Sequence, residues 1–198
     1  MTPIEAAPRQ VLLFSGHRVD APGRRRARFA PALVPRAAAA IGAALDALGA
    51  GRGDLALSQA AAGGDLLFAE ACLVRGVRVR VLLPLPEAEF IARSVRGSAG
   101  PEDWPARYRA LKARLGEPPI VMPAAPGEVF ERANRWLLEH ALACGVDRLR
   151  FVCLWDGAAD GDGAGGTAQM VAEVRRHTTR MTWIDTRTLG SPADPAAP

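Results

Sequence analysis

The strongest constraint on this chain is a unit that occurs twice: an apolar β-rich run, a glycine turn, a helical stretch and a second β-rich run. In the first copy, Leu55 to Ala60 reads as a strand, Gly63-Gly64 as the turn, Asp65 to about Arg75 as the helix and Val77 to Leu83 as the next strand. In the second, LRFVCLW (Leu149 to Trp155) leads into GDGAGGTAQMVAEV (Gly161 to Val174) and then to Met181 to Asp185. Gly63 precedes Val79 by 16 residues, and Gly165 precedes Met181 by the same 16. A glycine turn that opens a helix leaves backbone N–H groups unsatisfied and aims them, with the helix dipole, at an anion. Two such turns make a nucleotide-like ligand the leading expectation.

The rest of the chain extends the same alternation, which is the pattern of a parallel sheet covered on both faces. VLLFS (Val11 to Ser15) is the first strand, and its unbroken apolar run suits a central position. A helix is expected from about Val34 to Leu48, ended by glycines. The third strand carries Arg78 and Arg80 in alternation, which suggests an edge. EAEFIARSV after Pro84 forms a short helix, Trp104 to Leu115 another, Ile120 to Met122 a short fourth strand and Glu128 to Cys144 a long helix. The fold class is therefore α/β, a doubly wound, mainly parallel, six-stranded Rossmann-like sheet in three layers, with the order 3-2-1-4-5-6 expected. One domain over residues 1–190 is expected, followed by a disordered proline-rich tail at 191–198. The ligand would lie at the carboxyl ends of the strands, near the switch between the first and fourth.

Four loops meet at that edge. Ser15, Gly16, His17 and Arg18 follow the central strand, where glycine permits close approach and the other three can donate hydrogen bonds to phosphate. Gly63 and Gly64 bare their N–H groups, but Asp65 would repel a phosphate. Either it caps its helix and turns away, or that loop holds a ribose hydroxyl. Pro84 to Glu89 forms the third loop, with Glu89 a candidate for ribose hydroxyls. The fourth has no conflict: Gly165, Gly166 and Thr167 offer a neutral hydroxyl at a helix start and are the strongest phosphate candidate. Asp156, Asp160 and Asp162 precede it, and their spacing matches no calcium loop, so a flexible acidic turn is expected. The GxGxxG match at Gly161 to Gly166 is discounted because it stands too far from Trp155 for a dinucleotide fingerprint.

Catalytic and metal-binding groups are scarce. His17, His140 and His177 lack metal-ligand spacing, so no metal and no cofactor is expected. Glu89 and Glu70 are the candidate acids for glycosidic chemistry, with the catalytic assignment left open. A net charge of +4 comes from dispersed arginines, and only Arg24-Arg25-Arg26-Ala27-Arg28 forms a run, which beside a glycine-rich site could serve ligand phosphates but is read first as a solvated loop. Lys112 is the single lysine, a pattern of coding bias, and no specific nucleic-acid partner is expected. No apolar run approaches the ~20 residues that cross a bilayer. Cys72, Cys144 and Cys153 sit in apolar settings as reduced thiols, which with the absence of a signal-peptide pattern gives a cytoplasmic expectation and no membrane partner. Trp104, Tyr108 and the helix around Trp136 leave a homodimer open, with core packing their more usual use.

SGHR at Ser15 to Arg18, GGDLLFAEACLVRGVRVRVLLPLPEAEFIARSV from Gly63 to Val95 and GAGGTAQMVAEV from Gly163 to Val174 together resemble the SLOG superfamily of Rossmann-like domains. These are relatives of the Lonely Guy (LOG) and "lysine decarboxylase-like" proteins. The middle run is most similar to bacterial SLOG-type domains that accompany tetratricopeptide or cyclase-like modules. The resemblance implies binding or sensing of a nucleotide or nucleotide-derived ligand. Some relatives cleave the N-glycosidic bond of nucleoside monophosphates, with a motif similar to GGxGTxxE. Here the glutamate position is Met170, which cannot act as acid or base, so the departure weighs against that phosphoribohydrolase activity. Three readings stay open: a nucleotide-binding sensor, a nucleotide N-glycosidase, and an interaction module whose glycine loops are structural only.

Overall fold

The computed structural model describes residues 7–159 and 165–190. A six-stranded, all-parallel sheet forms its middle layer, from β1 (Val11–Gly16), β2 (Leu55–Ser58), β3 (Arg78–Leu83), β4 (Ile120–Val121), β5 (Leu149–Trp155) and β6 (Met181–Asp185). Helices α1 (Val34–Ala47), α2 (Gly64–Val74), α3 (Glu87–Phe90), α4 (Trp104–Arg114), α5 (Val129–Leu142) and α6 (Thr167–Arg175) connect them, so the fold is the doubly wound Rossmann-like one.

The two outer layers follow from strand alternation, because successive side chains of a strand point to opposite faces. Leu12 and Phe14 of β1, with Val152 and Leu154 of β5, pack with α1, α2 and α4, where Phe14 stacks on Phe68 at a ring separation of 4.7 Å. Val11 and Leu13, with Leu149, Phe151, Cys153 and Trp155, pack with α5 and α6 around Leu137, Met170 and Val174. Met170, at the position where the hydrolase motif places its acid, is therefore a fully buried core side chain.

The strand order is β4-β3-β2-β1-β5-β6, which corrects the expected placement of the fourth strand beside the first. β5 takes that central place, in register from Val11↔Leu149 to Gly16↔Leu154. The reason lies in length and burial. A central parallel strand must be apolar on both faces along a full ladder, which β5 satisfies over six of its seven residues, Arg150 being the exception. β4 has two residues, both exposed, and pairs only with Leu82 and Leu83 of β3. The expected edge character of the third strand survives in part: β4 stops short of Arg78 and Arg80, and Arg80 there meets Glu117 at 3.1 Å. The sheet thus grows in one direction from β1 to β4 and in the other from β5 to β6, and the reversal lies between β1 and β5. In an open α/β sheet that is where a crevice forms outside the carboxyl ends of the strands.

The expected tail at 191–198, and the expectations placed on Asp160, Gly161, Asp162 and Gly163, lie outside the described residues. Among the described residues no helix is long and apolar enough to cross a membrane.

Candidate functional site

A cavity of about 300 Å³ occupies the crevice at the β1/β5 reversal. Its floor and walls come from the turn after β1, the turn after β2, the first half of α5 and the start of α6. Ser15, Gly16, His17, Arg18, Asp65, Gly165, Gly166 and Thr167 all line it. Four loops were expected to converge, and three of them do.

The two glycine turns owe their shape to close backbone packing. Gly63 has φ +105°, and a Cβ there would stand 2.7 Å from Val19 N and 2.9 Å from His17 O. Only glycine combines that φ with so near an approach. Gly63 and Gly64 therefore lie behind the cavity wall: Gly64 N–H donates to His17 O at 3.1 Å, and Gly63 bridges to Arg18. Gly165 has φ +88°, and a Cβ would overlap Phe130 and come within 2.8 Å of Glu131 N. That turn is pressed onto α5 and leaves the first turn of α6 open to the cavity, with no side chain capping it.

Asp65 does not cap its own helix. It is 8% exposed and turns back, accepting a hydrogen bond from Ala61 N–H (3.4 Å to Oδ2), with the N–H groups of Gln59 and Gly16 close enough to favour its charged form. Burial pushes its carboxyl up from 3.8 to about 7, against the opposing pull of these donors and of the Arg18 charge. Arg18 spans the rim: Nη1 donates to Arg93 O at 2.8 Å and Nη2 to Arg96 O at 3.1 Å. It ties the β1 turn to a π-helical segment, Ile91–Val95, whose Ser94 also lines the cavity.

The opposite wall is cationic, and the arginine run supplies it. Asp20 is the hub of the loop, accepting from the N–H groups of Arg28 (3.0 Å) and Phe29 (3.1 Å) and lying 3.4 Å from Arg24 Nε. Arg24 and Arg28 consequently face the cavity, which corrects the reading of the whole run as a solvated loop, while Arg25 and Arg26 stay exposed. Arg28 Nε lies 3.7 Å from Asp156 Oδ2. Asp156 Oδ1 in turn lies 3.1 Å from His17 Nε2, and its N–H points at the same nitrogen at 3.2 Å. Nε2 can thus donate to the carboxylate or accept from the amide, according to its tautomer. Burial would raise the Asp156 pKa, but donation from Ala158 N–H and the nearby His17 and Arg28 outweigh it and hold the carboxylate below its usual range. Asp156 is therefore a buried, paired group and no part of a flexible acidic turn.

Asn134 joins the two sides. Its Nδ2 donates to Gly165 O at 2.9 Å, and its Oδ1 accepts from Gln59 Nε2 at 3.4 Å. Asn134, Gln59 and Phe130 are site residues that sequence reasoning missed. Asn134 had a signal: it stands on the buried face of α5 between Phe130 and Leu137, where a polar residue needs a partner.

The remaining candidates stand elsewhere. Pro84 is buried but does not line the cavity. Glu89 is half-exposed on α3 and pairs with Arg93 at 3.2 Å. Glu70 faces α4, where Arg107 donates through Nε at 3.0 Å and through Nη2. Neither glutamate reaches the cavity, which removes both as acids of a reaction inside it. Among the described residues no three His, Cys, Asp or Glu side chains are grouped to hold a metal. In comparison with known proteins, no family model matches this chain, and no curated protein matches it.

Proposed function

We propose that this cavity binds a nucleotide or nucleotide-derived anion, and that the chain is a cytoplasmic binding or sensing domain of the SLOG type. The observation that carries the proposal is the meeting, at the β1/β5 reversal, of the first turn of α6 with Arg24 and Arg28. Unpaired N–H groups at a helix start and guanidinium groups are both strong partners for phosphate oxygens, and here they bound one space. Phe130, Leu137 and Phe14 give the same space an apolar side suited to a base or another flat ring. Its volume suits a mononucleotide-sized group.

Glycosidic hydrolysis is the weaker reading, since Glu70 and Glu89 are paired outside the cavity and Met170 is in the core. Thermal-shift and calorimetric titration with nucleoside mono- and diphosphates, ADP-ribose and cyclic dinucleotides tests the proposal. A ligand at 100 times its Kd adds about 2.7 kcal/mol of stability. Arg28→Ala should reduce that shift, and the absence of a shift with every phosphate compound would overturn the proposal.

A further inference from the structure

Among the described residues, Asp65 is the one acid on the surface of a cavity whose other charged side chains are Arg18, Arg24 and Arg28. A carboxylate facing an anion site needs a reason. The residue is more than nine-tenths buried, Oδ2 accepts from Ala61 N–H at 3.4 Å, and the N–H groups of Gln59 and Gly16 lie close by. A carboxylate offers about four acceptor positions, and the backbone donors around Asp65 do not fill them all. Arg18 is near enough to act on Asp65 by charge, but its guanidinium donates to Arg93 O and Arg96 O.

The chemistry of the walls limits what can fill an open position. A phosphate oxygen would be repelled by the carboxylate. A divalent cation would need further ligands, and no group of three suitable side chains exists among the described residues. An ammonium group would have to enter past three arginines. A hydroxyl is neutral, donates one hydrogen bond and meets none of these objections. We infer that Asp65 accepts a hydrogen bond from one ligand hydroxyl, so that the cavity selects a phosphorylated ligand with a ribose-type hydroxyl over its deoxy analogue. The inference rests on the anion-binding reading above and adds which sugar the ligand carries.

Calorimetry on the full chain at pH 8.5, where Asp65 is ionised, with ribonucleoside 5′-mono- and diphosphates beside their 2′-deoxy and 3′-deoxy forms, supplies the test. One deoxy series should bind roughly ten- to a hundred-fold more weakly, the worth of a hydrogen bond to a charged acceptor. In Asp65→Asn the ribo and deoxy forms should bind within about threefold of each other, since the charged acceptor is gone. If nucleotides bind and both deoxy series match the ribo forms, the hydroxyl assignment is overturned while the anion site stands. If none of the nucleotides binds, both fail. If Asp65→Asn keeps the discrimination, another group reads the hydroxyl and Asp65 does not. Should that variant fail to fold, the 13Cγ resonance of Asp65 in the unaltered protein decides. It should move on adding the ribonucleotide and hold still with the disfavoured deoxy form, whereas equal movement with both overturns the assignment.

Discussion

The two strand-glycine-helix turns begin as near copies in sequence and end with opposite tasks. Both pack a positive-φ glycine against a neighbouring backbone, Gly63 against the β1 turn and Gly165 against α5. Beyond the glycines they diverge. At Gly63-Gly64-Asp65 the N–H of Gly64 is spent on His17 O, and the next side chain is a buried acid turned back toward N–H groups of its own turn and of the end of β1. At Gly165-Gly166-Thr167 no side chain caps the helix, and its first turn faces the cavity. A shared backbone motif therefore fixes where a helix starts and how near it lies to its neighbours. What the turn attracts is decided by one or two residues after the glycines.

The sharpest way to separate the two turns is pH. The folded-state pKa of Asp65 is raised above its unfolded value of 3.8, to about 7, so the native state binds the proton more tightly between them. Stability from this group is full below pH 4 and is lost as pH rises through 7, by about 4 kcal/mol at most from linkage. Asp54 and Asp156 work in the other direction, because both are held below the usual range and lose their contribution as pH falls. The difference in thermal stability between the unaltered protein and Asp65→Asn isolates the first effect. The variant should gain on the parent between pH 4.5 and 7.5, and a pH-independent difference would mean that Asp65 is not the group responsible.

Next in size are the glycines themselves. Gly63→Ala and Gly165→Ala should each cost about 3 kcal/mol, from the positive φ and the forced displacement of a neighbouring backbone. Urea unfolding measures both, and a cost under about 1 kcal/mol at either position would show that its neighbour can give way. Asn134→Ala should cost about 2 kcal/mol by leaving Gly165 O without its donor, again by urea unfolding. The smallest stability effect is expected of Thr167→Val, which keeps the shape of a buried side chain and removes its hydroxyl. Stability should change by less than about 1 kcal/mol while affinity for a phosphate ligand falls several-fold.

Periodicity made most of the elements legible. Unbroken apolar runs such as VLLFS and LRFVCLW announce buried parallel strands, and glycine marks where helices start and stop. The position of β4 was not legible, because two exposed residues carry no pattern that says which neighbour they pair with. In the site, the residues directly after strands could be placed at one edge, since the topology puts every such turn there. Arg24 and Arg28 could not, because their direction depends on Asp20 and Asp156, groups whose roles exist only once the loop is folded back. Glu89 was drawn to the edge by its sequence position, but α3 leaves its carboxylate beside Arg93.

The strand order has a mechanical corollary. Everything from β1 to β4 is one continuous stretch of chain, and β5 with β6 is another, so the sheet is a seam sewn along a single ladder, β1 against β5. The cavity sits at the open end of that seam, bridged by the amide relay from Gln59 through Asn134 to Gly165. Anything bound there acts as a further stitch between the two stretches, so its presence would be felt as slowed hydrogen exchange along the whole length of β5, well away from the atoms it touches.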